Sequence, residues 1–114
     1  MNKTVEQNEW KKFLNDFSRL NEERLVRLEI VSAEFGANNE AKNLPLLGIS
    51  FEEKGSEIGD VLISLGGSND EGAAYVTHTR KDAKSITSSR GGDGVDVALE
   101  ITGAEGENAI LIFE

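Results

Sequence analysis

His78 is the side chain in this sequence best suited to acid–base chemistry near neutral pH, because imidazole has an unperturbed pKa of about 6.5. A neighbouring hydroxyl or carboxylate would tune it to act as a general base. The chain has one histidine and no cysteine, so it lacks the partners of a familiar catalytic set or zinc site. We therefore interpret His78 as a hydrogen-bonded structural histidine and predict no catalytic residue, metal or cofactor.

Two acidic, glycine-containing turns carry oxygen atoms of the kind that calcium accepts. They are residues 68–71 and the segment with Asp93 and Asp96. Neither has the alternating ligands over about 12 residues that an EF-hand loop needs. Gly92-Asp93-Gly94 also lacks the third glycine and the following helix of a nucleotide-binding motif. We interpret both segments as solvated turns.

The basic segment 80–90 has an uneven charge. Its four cations and one acid sum to +3, whereas residues 91–114 contain six acids and no base, a sum of −6. One interpretation is that this segment binds a small ligand or an anion by charge and hydrogen bonding. The other, which we favour, is that its cations pair across the sheet with the acidic hairpin. The candidate ligand-binding residues are Tyr75, His78, Arg80, Lys81, Lys84 and Arg90.

The charge and the hydropathy of the chain exclude two classes of partner. A formal charge of −9 and a sequence pI of about 4.6 repel phosphate backbones, which argues against nucleic acid. The longest strongly apolar run, 109–113, is about a quarter of the roughly 20 residues that a bilayer crossing requires. Residues 1–10 lack the apolar stretch of a secretory signal. We expect an acidic, cytoplasmic protein with no membrane or nucleic-acid partner.

One segment has the spacing of a helix that covers a core. Trp10, Phe13, Leu14, Phe17 and Leu20 recur at intervals of three and four residues, which places them on one helical face. From residue 25 onward the apolar residues instead alternate with period two, as on half-buried strands. The spacing predicts a helix over about 6–20 and strands over about 25–34, 46–53, 60–65, 73–80, 85–89, 95–102 and 108–113.

These elements predict the fold class. With no second helix to serve as a crossover, the strands must form a mostly antiparallel sheet. A chain of 114 residues is long enough for one core and too short for two. We predict a single α+β domain, residues 1–114, with an N-terminal amphipathic helix packed on six or seven strands as a curved sheet or a partly open barrel. Its predicted core is Trp10, Phe13, Phe17, Val26, Leu28, Ile30, Ile49, Val61, Ile63, Val97, Leu99 and Ile101.

Four motifs follow one another over nearly the whole chain. They are the W-x-x-F-L-x-x-F helix from Trp10, the L-P-L-x-G-I-S segment from Leu44, the pair Thr77-His78 and the strand Leu99-Glu100-Ile101. In this order they resemble a small bacterial family catalogued only as a domain of unknown function. The resemblance implies a bacterial origin and a small stand-alone domain, and it supplies no catalytic residues. The chain departs from the family at Asp82-Ala83, where a proline is expected.

Elimination favours a non-catalytic protein-interaction module, because no coherent catalytic set is present and an open sheet has edges on which another chain can pair. We expect the partner to be a protein of unknown identity or a second copy of the chain. The alternative is a small-ligand or anion-binding domain that uses the basic segment 80–90. The least favoured hypothesis is an enzyme with His78 as base, which requires a concave pocket with a carboxylate beside the imidazole.

Overall fold

The protein folds as one N-terminal helix packed on an eight-stranded antiparallel sheet, which confirms the predicted class with more strands than predicted. The computed structural model describes residues 2–34, 36–54, 57–69, 72–103 and 106–114. A 3₁₀ helix (Gln7–Glu9) precedes α1 (Trp10–Asn21). The strands are β1 (Asn2–Thr4), β2 (Leu25–Ser32), β3 (Gly36–Lys54), β4 (Glu57–Asn69), β5 (Gly72–Arg80), β6 (Ala83–Arg90), β7 (Asp96–Gly103) and β8 (Asn108–Phe113).

The sheet is curved but not closed into a barrel. Its strand order is β1-β6-β7-β8-β2-β3-β4-β5, and every neighbouring pair is antiparallel. The curvature brings β4 against β6 and the end of β5 against β7. The edge strands β1 and β5 do not pair with each other in the part of the chain that the structure describes. Of the two predicted arrangements, the structure therefore shows the curved, open sheet.

The aromatic side of α1 covers the concave face of this sheet. Trp10, Leu14 and Phe17 are buried because their spacing places them on the same side of the helix. Ser18 joins the helix to β3, since its Oγ donates to the carbonyl of Ile49 (3.0 Å) and accepts from the amide of the same residue (2.8 Å). The position of α1 on the sheet is thus set by packing and by a two-way hydrogen bond.

β3 is longer than the predicted strand 46–53. It begins at Gly36, and its first half is polar and mostly exposed, so the hydrophobic alternation did not reveal it. Asn43 has a φ of 54°, and the pairing with β2 shifts register close to this position. Pro45 follows, opposite Leu25. A proline inside a strand is tolerated beside such an irregularity because the ladder is already interrupted there.

The prediction that Val97 belongs to the core is wrong. Ala98 lies opposite Ser89, but Asp96 lies opposite Arg90, so Val97 is an extra residue in β7. Such a β-bulge reverses which side chains face inward. Val97 is 43% exposed and Asp96 only 5% exposed, so interpreting Asp96 as a solvated turn residue is also wrong. The side chains of the other acidic turn, 68–71, lie outside the described residues.

The rest of the predicted core packs between α1 and the concave face. Phe13 and Ile30 are partly buried, and the others are buried: Trp10, Phe17, Val26, Leu28, Ile49, Val61, Ile63, Leu99 and Ile101. The core also contains large apolar side chains that were not predicted, among them Leu46, Leu65, Ile86 and Leu111. The sheet and this core together position both edge strands and the C-terminal end of α1.

Candidate functional site

The two candidate residues within β5 point to opposite faces of the sheet. Tyr75 lies opposite Gly66 on the outer face and is 65% exposed. His78 lies opposite Ile63 on the concave face and is half-buried. Because side chains alternate along a strand, residues three apart face opposite ways. The structure therefore does not bring Tyr75 and His78 together.

The cations of the basic segment are divided between the two ends of β6. Arg80 donates from Nη1 to Oε1 of Glu107 at 2.6 Å, before β6 begins. Arg90 donates from Nε to Oδ1 of Asp96 at 3.0 Å, where β6 ends. An eight-residue strand spans roughly 25 Å, so one small anion cannot contact both arginines. Both arginines pair with acidic residues of segment 91–114. The cations of segment 80–90 therefore do not meet at one place, and anion binding by this segment stays a prediction. The remaining cations, Lys81 and Lys84, are exposed.

His78 combines partial burial with a ring nitrogen that has no partner among the described residues. Its Nε2 is buried and makes no hydrogen bond to a residue that the structure describes, so the hydrogen bond predicted for this histidine is not observed at that atom. Burial lowers the pKa of the imidazole below its ordinary value of 6.5, and the charge of Arg80 acts in the same direction. The carboxylates of Glu40 and Glu107 oppose this shift in pKa. The neutral imidazole is therefore the form that the fold favours.

Acidification is expected to destabilise the protein through His78. Because its pKa is lowered in the folded state, the unfolded chain takes up the proton first as the pH falls. The stability that His78 contributes is complete above pH 6.5 and is lost as the pH falls from 6.5 through the folded-state pKa. Urea-unfolding midpoints between about pH 8 and about pH 5.5 should fall less steeply for His78→Gln than for the wild type. Thr79→Ala, on the opposite face, should keep the wild-type slope, and equal slopes for all three proteins would contradict the expectation.

A groove with a volume of ≈ 830 Å³ lies between α1 and the edge of the sheet formed by β1 and β6. The helix side is lined by Phe13, Phe17 and Leu20, of which Leu20 is 72% exposed. The rings of Phe13 and Phe17 are stacked at a centroid distance of 5.7 Å. Lys3 and Ser88 line the opposite side. The end of the groove is formed by the turn that contains Gly91, Gly92 and Gly94.

Ser88 lies in the side of this groove that β6 forms. It is opposite Lys3 on β1 and opposite the buried Leu99 on β7, which places all three residues on the concave face. Ser88 is only 5% exposed. Its hydroxyl forms no hydrogen bond with any residue in the described ranges. Because Ser88 lines the groove, its hydroxyl can bond to a molecule that occupies the groove.

A polar network around Asp96 supports the same end of the groove. The Asp96 carboxylate accepts from Nδ2 of Asn21 at 2.9 Å and from Nε of Arg90 at 3.0 Å. Arg24 donates from Nη1 to the backbone carbonyl of Asp96 (3.0 Å) and to Oδ1 of Asn21 (2.7 Å). The guanidinium of Arg24 also lies 4.0 Å from the ring centroid of Phe113. The network ties the C-terminal end of α1 to the bulge in β7 and positions Arg90 at the groove.

The exposed side of α1 carries its own ion pairs. Asp16, which lines the groove, accepts from Lys12 at 2.9 Å and from Arg19 at 3.2 Å. The hydrogen bond from Lys12 is the main cause that holds the pKa of the Asp16 carboxyl below its usual value. The charge of Asp16 is thus compensated within the helix.

Within the described ranges, no group of three or more histidine, cysteine or acidic side chains is placed to hold a metal ion, and no helix is long and apolar enough to cross a bilayer.

Comparison with known proteins decides the family. The model of a family of unknown function, DUF5335, matches residues 1–114. The chain belongs to this family. The resemblance to a family catalogued only as a domain of unknown function is confirmed. No curated protein and no solved structure matches the sequence.

Most of the residues that form the groove of this DUF5335 chain were not candidates from the sequence. Of the six candidate ligand-binding residues only Arg90 lines it. Lys3 lies on β1, a strand that was not predicted. The inward orientation of Ser88 could have been predicted from the sequence. It lies two residues after Ile86, which is buried, on a predicted strand, and residues two apart on a strand share a face.

Proposed function

We propose that this chain is a non-catalytic interaction module that self-associates by pairing the free edge of β5 with β5 of a second copy. The observation that supports the proposal is the strand order, in which β5 is terminal and pairs with β4 alone among the described strands. A terminal strand presents a row of backbone N–H and C=O groups that another strand can satisfy.

The edge of β5 carries few of the features that protect natural edge strands. Residues 72–79 contain no proline and no Asp, Glu, Lys or Arg, and residues 72–75 are exposed. Natural edge strands are instead protected against pairing with other chains by lysine side chains, by proline or by their short length. The opposite edge, β1, is protected by its length, since it has 3 residues compared with 9 in β5. β5 is therefore the better template for strand addition.

Charge favours a second copy of the same strand as the partner. The chain carries −9, so two copies repel each other over most of their surfaces. The uncharged run 72–79 lets two copies approach without like charges directly opposite each other. A twofold axis would place β5 of one copy antiparallel to β5 of the other, so both sides of the interface would be formed by this one uncharged strand. Arg80, at the end of β5, turns away to Glu107 and limits the pairing to 72–79.

Placing a lysine on this edge is expected to dissociate the dimer. Thr77→Lys adds a positive charge to both copies of the strand, which brings like charges together across the interface. The dimer dissociation constant should rise at least about tenfold, measured by sedimentation velocity from about 10 µM to about 1 mM protein. Ser50→Lys is the matched control, because it makes the same charge change at an exposed position of β3, two strands from the edge. Its dissociation constant should equal that of the wild type.

Two results would overturn the proposal. The first is a wild-type protein that stays monomeric over the whole concentration range. The second is an equal loss of dimer in Thr77→Lys and Ser50→Lys, which would assign the effect to net charge and not to the edge of β5.

A further inference from the structure

We infer that the groove between α1 and the β1–β6 edge binds a small monocarboxylate with an apolar body, such as an aryl carboxylate. The carboxylate would lie at Ser88 and Lys3, and the apolar body would lie along Phe13, Phe17 and Leu20. This site is separate from the edge of β5, because its lining residues lie within segments 2–20 and 88–96. The inference therefore does not depend on self-association.

The size of the groove fits a small molecule. Its volume is ≈ 830 Å³. Small-molecule sites are typically clefts of about 300–1,000 Å³, lined mostly by apolar and aromatic side chains with a few polar groups at fixed positions. Phe13 and Phe17, whose rings stack on each other at a centroid distance of 5.7 Å, line the groove together with the exposed side chain of Leu20.

Ser88 provides the polar group at a fixed position. Its side chain lines the groove, is 5% exposed and has no hydrogen-bond partner among the described residues. The strand register holds it between Lys3 and Leu99, so the hydroxyl cannot turn to the outer face of the sheet. A ligand oxygen that accepts from this hydroxyl would satisfy a donor that the fold leaves without a partner.

The charges around Ser88 favour a carboxylate over an amine. Lys3 lies directly opposite Ser88, at the distance where cross-strand side chains interact. Arg90 is 54% exposed and is positioned at the same end by Asp96. The carboxylate of Asp96 also accepts from Asn21, so two donors already compensate it. A negative group at Ser88 therefore meets the ammonium of Lys3, while Arg90 is already paired with Asp96.

The same lining limits the charge of the ligand to a single negative group. The lining cations Lys3, Lys12 and Arg90 are equal in number to the lining acids Glu9, Asp16 and Asp96. Lys12 is engaged with Asp16 on the helix. A second carboxylate on the ligand would face Glu9 on the helix side and would be repelled.

Binding of 2-naphthoate tests the inference, with 2-naphthamide as its neutral analogue. Titrations of the full chain by isothermal calorimetry and by ¹H–¹⁵N NMR should give saturable binding of the naphthoate, with the largest shifts at residues that line the groove. The naphthamide should bind at least about tenfold more weakly, because it lacks the negative charge that meets Lys3.

Ser88→Ala should weaken naphthoate binding about tenfold, the size expected for one hydrogen bond to a charged group. Ser89→Ala is the matched control, because it removes the same hydroxyl from the adjacent residue on the outer face. Leu20→Ser changes an exposed side chain and should weaken the naphthoate and the naphthamide to the same extent. Thr77→Lys should bind naphthoate as the wild type does, which separates this site from the dimer.

Three outcomes would overturn the inference. One is the absence of saturable naphthoate binding up to about 5 mM, a weaker affinity than such a site should have. Another is equal affinity of Ser88→Ala and Ser89→Ala in proteins whose circular dichroism spectra match the wild type. The third is a set of NMR shifts that lies on β5 and not around the groove.

Discussion

Replacing Trp10 with alanine is expected to lower the free energy of unfolding by about 3–5 kcal/mol. Trp10 is 1% exposed, and its ring meets Phe51 edge to face at a centroid distance of 5.4 Å. Its Nε1 donates to the carbonyl of Val5 at 3.0 Å, which ties the segment before α1 to the core. The variant therefore loses a large buried volume and leaves a buried carbonyl without its donor. Urea denaturation followed by far-ultraviolet circular dichroism measures the change, since the chain has no second tryptophan for fluorescence.

Two variants control this prediction. Trp10→Phe keeps most of the ring contacts and removes the N–H donor, so it should lose less stability than Trp10→Ala. Leu20→Ala changes a side chain of the same helix that is 72% exposed and should stay within about 0.5 kcal/mol of the wild type. A loss below about 1 kcal/mol in Trp10→Ala would show that α1 does not close the core as the structure describes.

The second large effect is expected at the bulge in β7. Asp96→Ala removes a buried carboxylate that accepts from Asn21 and Arg90. The expected loss is about 2–3 kcal/mol, because a buried carboxylate with two donors is replaced by a methyl group that accepts nothing. This loss of stability is at the lower end of the range for breaking a buried ion pair. The reason is that the Arg90 side chain is 54% exposed, so water can solvate its charge when Asp96 is removed. Urea denaturation measures it at pH 7.

Asp93→Ala is the matched control for Asp96→Ala. Asp93 lies in the same turn, is exposed and, among the residues that the structure describes, accepts from the amide of Val95 at 3.1 Å. It should cost no more than about 1 kcal/mol. Equal losses in the two variants would refute the network around Asp96 as the contact that holds α1 to β7.

The segment around this bulge shows which buried residues can be predicted from sequence periodicity and which cannot. Leu99 and Ile101 were correctly predicted as buried from alternation alone, because a strand places every second side chain on one face. The same alternation placed Val97 in the core, and the interpretation of Asp96 as a turn residue placed it in solvent; both predictions were wrong. The extra residue in β7 is visible only in its pairing with β6, so no count along the strand itself reveals it.

The basic segment 80–90 shows the same limit for a binding site. Its composition allowed either an anion site or pairing with the acidic residues that follow. The choice depends on where Glu107 and Asp96 lie, and the structure places them at opposite ends of β6, each beside one arginine. The groove was not predicted because its two sides, α1 and the β1–β6 pair, are far apart in the sequence.

Residue spacing along the chain is enough to predict an opening amphipathic helix and a series of short strands that must pair antiparallel. These follow from local spacing, since the side-chain period of a helix or strand is set by its own backbone geometry. Four features arise only in the folded chain: the strand order, the bulge that buries Asp96, the exposed edge of β5 and the placement of Ser88 between Lys3 and Leu99. Those features depend on which distant segments pair and in which register, and that choice is made by packing of the whole core and not by any one strand.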